Sequence, residues 1–305
     1  MPTFIEKLNN LAQGKAPTAA SLTFLSDLSS EDRTSFRQAW PALPVDRRRH
    51  IVQTLVTMAE DNIELYFRPV FLVALEDEDP EVRLAAIEGL FEDNSTLALD
   101  MLVRILGSDP DEGVREAAAS SLGRFTYLAQ CDKLGNGGDA GKLRDALVQS
   151  ARNANEDGDV RRRAIESLGY LNGDAEVQEL IGDAYRQGGR QAESALFAMG
   201  RNMDQRWEQT ILDELESHQP AMRYEAARAA GEMALEDSLS YLVRLVDDSD
   251  TEVRLAAVWA LGQIGGKPAA QALARVLKSN DPALREAAQE ALQEVAFSAN
   301  PLNII

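Results

Sequence analysis

The chain has a single cysteine, Cys131, in 305 residues, so no intrachain disulfide can form and a reducing compartment is compatible with it. Histidine is almost as scarce. His50 and His218 lie far apart, neither sits in a His-Glu motif, and no Ser/His/Asp or Cys/His constellation is apparent. No apolar run reaches the roughly 18 residues needed to cross a bilayer, which argues against a membrane span. Met1 to Asn10 lacks a basic segment leading into an apolar one, so a soluble cytoplasmic protein is expected. Aromatic residues make up only 6% of the chain, and β-branched runs bounded by turn signals are missing, which favours helix over strand. Positive charge is in deficit. Lys and Arg number 31 against 50 Asp and Glu, a net charge of −19 that repels phosphate backbones and argues against nucleic-acid binding. A basic protein or peptide partner fits this charge, and so does plain solubility.

What the chain does contain is a repeated helical signature. Val82-Arg83 with Ala86 and Leu90 returns as Val114-Arg115/Ala118/Leu122, Val160-Arg161/Ala164/Leu168 and Met222-Arg223/Ala226/Ala230. Further copies are Val253-Arg254/Ala257/Leu261 and Leu284-Arg285/Ala288/Leu292. A weaker copy runs from Gln191-Ala192 through Ala195 and Met199 to Gly200. The anchors at 83, 115, 161, 192, 223, 254 and 285 are separated by 32, 46, 31, 31, 31 and 31 residues. A period in this range marks a solenoid, in which each unit buries its apolar face only by stacking on its neighbours. The long step places an insertion at about 126–143, expected to be a loop. The expected organisation is a helical cap with a degenerate first repeat over 1–61, a repeat array over 62–297, and a C-terminal tail over 298–305. The fold class is all-α, an α-solenoid of stacked antiparallel helix pairs.

Each repeat reads as two amphipathic helices and a tight turn. In residues 95–125, Leu97, Leu99, Leu102, Val103 and Leu106 form one stripe, Gly107 ends it, and Asp109-Pro110 is expected to start the second helix. Asp79-Pro80 and Asp281-Pro282 use the same start, and Asp250 and Asp159 do so without proline. The alanine three residues after each anchor reads as a close-packing site, and the glycine that ends most copies reads as a left-handed closing residue. In the cap, Ser30 reads as the start of a helix that Pro41 and Pro44 end, and Val45 to Ala59 as a second helix.

The two-helix unit, the Asp-Pro turn, the Val-Arg pair and the Ala-x-x-x-Leu-Gly ending resemble HEAT repeats, especially the short bacterial type also found in phycobilisome lyases. The resemblance covers roughly residues 62–297. It implies an armadillo-like helical solenoid and a ladder between turn aspartates and anchor arginines of neighbouring repeats. Here that ladder maps onto Asp79/Arg83, Asp109/Arg115, Asp159/Arg161, Asp250/Arg254 and Asp281/Arg285, with Arg223 a further member and a break at Ala192. HEAT-like di-iron hydroxylases carry paired His-Glu motifs, which this chain lacks, and HEAT-like DNA glycosylases use basic faces, which its charge disfavours.

Registration of the repeats also predicts what is displayed. Positions one and five after each anchor share a face of the second helix, expected to lie on a concave surface. On adjacent repeats they place Phe197, Tyr224, Arg228, Leu255 and Trp259 together, and aromatic residues with arginine are typical of binding hot spots. Packing under neighbouring helices is the alternative. Other features carry less. The acidic turns at 76–79, 109–112, 156–159 and 247–250 could form a ridge for a basic peptide or serve as helix caps. Arg47-Arg48-Arg49-His50 could dock an acidic partner or a second copy, or be a solvated helix face. The glycines near Lys142 fail the phosphate-loop spacing, and the Asn153 to Asp159 stretch lacks the glutamate an EF-hand loop requires. No metal or cofactor is expected. The expected function is a non-enzymatic scaffold that holds a protein or peptide partner on the concave face. A phycobilin-lyase-like tetrapyrrole-handling protein and a self-assembling structural protein are the alternatives.

Overall fold

A computed structural model of the chain describes residues 3–12, 16–135 and 137–299. It divides into two compact units, Met1–Arg161 and Arg162–Ile305. Every regular element among the described residues is an α-helix or a short 3-10 helix. Each unit is built as an α-solenoid, with first and second helices alternating along the chain and second helices of successive repeats packed on one another. The expected tail at 298–305 falls almost entirely outside the described residues.

The repeat signature becomes a core by simple periodicity. Residues before the anchor (Val82, Val114, Val160, Met222, Val253, Leu284) are buried, and the alanines three after it are inaccessible to solvent in all seven copies. Helix starts follow the anchor as well. Asp79 caps helix Pro80–Gly89 and Asp250 caps Thr251–Ile264, each carboxylate accepting an otherwise orphaned N–H. Asp281 accepts the N–H groups of Ala283 and Leu284 at the start of Pro282–Ala299.

Two expected starts are displaced. Helix Glu112–Gln130 is capped by Asp111 rather than Asp109. Helix Gly158–Leu168 takes its capping bonds from Asp157, whose carboxylate accepts the Asp159 and Val160 N–H groups. Asp111 and Asp157 stand four residues before their anchors, as Asp79, Asp250 and Asp281 do, so the repeat frame outranks the local Asp-Pro signal. In the cap, Ser29 rather than Ser30 bonds the Asp32 N–H at the start of Ser30–Ala39.

Three of the glycines near the ends of the second helices do not close them. Gly200 lies inside Gly189–Asn202, Gly231 inside Pro220–Glu232 and Gly262 inside Thr251–Ile264, and none of the three has positive φ. A Cβ there would approach the Cα of Ala229, Ala260 and Ala291 to 2.7, 2.9 and 2.9 Å respectively. These glycines exist because the backbone of the next second helix sits against them. The left-handed role falls to Gly265, with φ of 73°, which closes Thr251–Ile264.

The insertion is helical rather than a loop. It lengthens the second helix Glu112–Gln130 and the following first helix Gly137–Arg152, leaving a short connection around Cys131, which is exposed. Thr126 and Leu143, at the two ends of the added stretch, are inaccessible, so both are packed. Val45–Asp61 is helical and packs on Pro80–Gly89, as a second helix of a first repeat does.

Candidate interaction face

The anchor arginines set the spacing of the repeats. In unit 1, Arg83 grips the Asp109 carboxylate with Nε and Nη2 at 2.8 and 2.7 Å while its Nη1 donates to the Asp77 carbonyl at 2.8 Å. In unit 2, Arg223 grips Asp248 at 2.8 Å through both nitrogens and donates to the Ser217 carbonyl. The acceptor is therefore the acid of the following repeat. It is not the one in the arginine's own turn, as the mapped pairs had it. Asp79 accepts from Arg49 at 2.9 and 2.6 Å, and Arg115 donates to Glu156 at 2.7 Å while bonding only the carbonyl of Asp109. Arg254 reaches Asp281 at 3.7 Å, Arg285 bonds the Ser279 carbonyl, and Arg161 the Ala151 carbonyl. The Asp159 N–H donates to Asp157. At the repeat without an anchor arginine, Arg162 bonds the Arg190 carbonyl and Ser194 Oγ at 3.1 and 3.0 Å.

These bonds leave recognisable electrostatics. The Arg49 guanidinium holds the Asp79 carboxyl below its usual range. At Asp248, burial pushes upward, but Arg223 and the Asp250 N–H outweigh it and the group ends below its usual range. They also consume most of the charge that the sequence offered as docking material. The acidic turns are occupied by arginines, down to Asp247 with Arg275 at 3.2 Å. The Arg47 to His50 cluster is engaged within unit 1 too. Arg48 is buried against Asp77 at 2.9 Å and Glu78 at 2.8 Å, and His50 Nε2 lies 2.8 Å from the Pro17 carbonyl. Arg49, paired with Asp79 and Glu81, keeps a third of its side chain exposed. Lys142 pairs with Asp100, and Asn153 and Asp157 spend their side chains on their own turn.

The face of the second helices in unit 2 is different. Phe197 is half-buried and lies between two guanidinium groups, Arg201 at 4.0 Å from its centroid and Arg228 at 5.6 Å, in cation–π geometry. Arg201 also covers Tyr170 at 4.7 Å, and Arg228 pairs with Glu232 at 3.1 Å. Trp259 keeps 38% of its surface exposed. Its ring lies over Gly231, where a Cβ would come within 2.5 Å of Cζ3. Tyr224 and Leu255 are half-buried on the same helices. Phe197 and Arg228 are thus in direct contact, whereas Trp259 reaches the neighbouring helix through Gly231.

Four participants were missed by taking only positions one and five after the anchor. Tyr170, Arg201 and Glu232 stand at position nine, the next step of the same i, i+4 stripe, and extending it one turn would have found them. Glu225, at position two, had no sequence signal. Burial pushes its carboxyl up to about 7, Arg228 pulls it down, and Glu166, Glu232 and Glu193 push it further up. Its Oε2 is inaccessible and accepts no hydrogen bond. Glu232 is raised as well, chiefly by burial. The arrangement offers exposed aromatic surface and guanidinium groups already stacked on rings.

No curated protein matches the chain by sequence. Among solved structures, a chain from a structure of Kap95p with RanGDP is similar over 98% of this chain, with a TM-score of 0.57 and 16% identity. Importin beta is similar over 95%, with a TM-score of 0.55 and 16% identity. This chain spans 46% of each of those two, a little under half their length. The CpcE–CpcF phycocyanin lyase complex from Nostoc sp. PCC7120 is similar over 76% of this chain and 88% of its own, with a TM-score of 0.55 and 23% identity. At such identities the likeness concerns the fold. The model of the family described as HEAT repeats matches residues 68–151 and 208–293, more than half of the sequence. With the period, the ladder and the stacked second helices, this places the chain in the HEAT-repeat family.

Proposed function

We propose that this HEAT-repeat protein is a non-enzymatic scaffold, and that it holds a protein or peptide partner on the second-helix face of unit 2. The observation that carries the reading is the exposed Trp259 beside the arginine-stacked Phe197, with Tyr224, Arg228 and Leu255 on the same face. Large aromatic side chains and arginine supply most of the energy in protein interfaces, because they bury much area at little entropic cost. A partner with basic side chains fits this reading. The net charge of −19 favours the approach of such a partner.

The test is capture from the source lysate by wild type and by a Trp259→Ala/Tyr224→Ala double variant of equal helicity. A protein retained by wild type and lost by the variant supports the face, whereas identical retention refutes it. A tetrapyrrole with its propionates on Arg201 and Arg228 is the other occupant these side chains could take, and a bilin absorbance shift lost in the same variant would select it.

A further inference from the structure

In unit 1, three successive first helices, Ser30–Ala39, Arg68–Ala74 and Thr96–Ser108, enclose a groove of about 610 Å³. The middle helix has 7 residues, against 10 and 13 in its neighbours. The floor is apolar, made of Pro69, Leu72, Val73, Leu97 and Met101, with Leu97 50% exposed. The rim carries Arg33, Arg37 and Arg104. Glu76 lies 3.2 Å from both Arg37 and Arg104, and Asp100 is taken by Lys142. Arg33 makes no ion pair among the described residues, and Asp32 is turned to the helix start, where it accepts the Ser29 hydroxyl. Three arginines thus meet two carboxylates in the lining, one of them already paired with Lys142, in a chain whose net charge is −19.

We propose that this groove is a second docking site, for an amphipathic acidic peptide segment of a partner protein. An apolar side of the segment rests on Leu97, Leu72 and Val73, and its carboxylates meet Arg33, Arg37 and Arg104. Charge complementarity selects the occupant, since this is a cationic surface with an apolar floor on an otherwise anionic molecule. A nucleic acid would find phosphate partners in the arginines but no use for the leucine floor, and the rest of the surface would repel it. The site uses different residues, in a different unit, from the face around Trp259.

The experiment is fluorescence anisotropy with the full chain and a labelled amphipathic peptide of about 18 residues, Leu on one helical face and Glu on the other. A Lys-for-Glu version is the control. Binding of the acidic peptide is expected, with a loss of about tenfold or more in Arg33→Glu/Arg37→Glu/Arg104→Glu and in Leu97→Asp. Glu76→Gln, which frees Arg37 and Arg104, is expected to tighten it several-fold, whereas Glu286→Gln, an equal charge change in unit 2, leaves it unchanged. Trp259→Ala leaves it unchanged too, so failure at this groove is separable from failure at the unit 2 face. No binding of the acidic peptide, preference for the lysine version, or equal affinity in the triple variant overturns the proposal.

Discussion

Gly231→Ala should destabilise the protein even though alanine is the better helix former. The residue lies inside helix Pro220–Glu232 without positive φ, so the backbone itself accepts alanine. Relief of glycine's conformational cost contributes about 1 kcal/mol in favour of the variant. Against it, the new methyl would lie 2.5 Å from Trp259 Cζ3, 2.9 Å from Ala260 Cα and 3.0 Å from Ala260 Cβ. Carbon atoms prefer about 3.5–4.0 Å. Two of the three obstacles belong to the backbone and first side-chain atom of the next helix, which cannot rotate away. Overpacking of this kind costs about 1–3 kcal/mol. The net change is a loss of up to about 2 kcal/mol. Gly107→Ala is the internal reference, because Gly107 is also helical and a Cβ there meets nothing within 4 Å. It should be neutral or stabilising by up to about 1 kcal/mol. Guanidinium unfolding followed by circular dichroism gives both midpoints, and tryptophan emission reports whether Trp259 has left its seat. If Gly231→Ala is as stable as Gly107→Ala, the close approach of the second helices is not what selects glycine, and the argument fails.

Other predictions address the ladder and the buried carboxylate. Arg223→Ala strands Asp248, whose side chain is 8% exposed, and should cost about 2–4 kcal/mol, while Arg244→Ala, at an exposed pair with Glu216, should cost under about 1 kcal/mol. Glu225 is raised from 4.5 to about 7 in the folded chain, so the folded state holds a proton that the unfolded state has lost between those values. Its contribution to stability therefore falls as pH rises from about 4.5 to about 7 and is flat above, by up to about 3 kcal/mol. Glu225→Gln should remove that slope in denaturation midpoints compared between pH 5 and 8, and an unchanged slope would falsify the assignment. Asp79 and Asp248 act in the opposite sense. Their folded carboxyls lie below their usual range, so what they contribute is present at neutral pH and lost as pH falls below the ordinary carboxylate range.

The repeat frame was legible because it is written in residue size and spacing. Ala86, Ala118 and their five equivalents are inaccessible because a 3.6-residue period brings the position three after each anchor back under the stripe. The candidate face was legible only in part. Position five after the anchor displays Phe197, Arg228 and Trp259, but stopping there lost Tyr170, Arg201 and Glu232 one turn on. Local signals misled where they competed with the frame. Asp109-Pro110 carries the familiar start pair, yet Asp111, four residues before its anchor as Asp79 is, caps the helix, and Asp109 goes to Arg83 from the preceding repeat.

By itself, then, the sequence determined an all-α array of stacked pairs, its period, its buried alanines and the site of its insertion. Each follows from intervals within one helix or one repeat, where chain geometry leaves little freedom. Only the tertiary structure decided the partners across repeats. It gave Arg83 to Asp109, set the Gly231 backbone beneath Trp259, turned Arg48 inward, and gathered Arg33, Arg37 and Arg104 around one groove. Those contacts depend on the offset between stacked helices, and a shift of one residue there sends a side chain to a different neighbour.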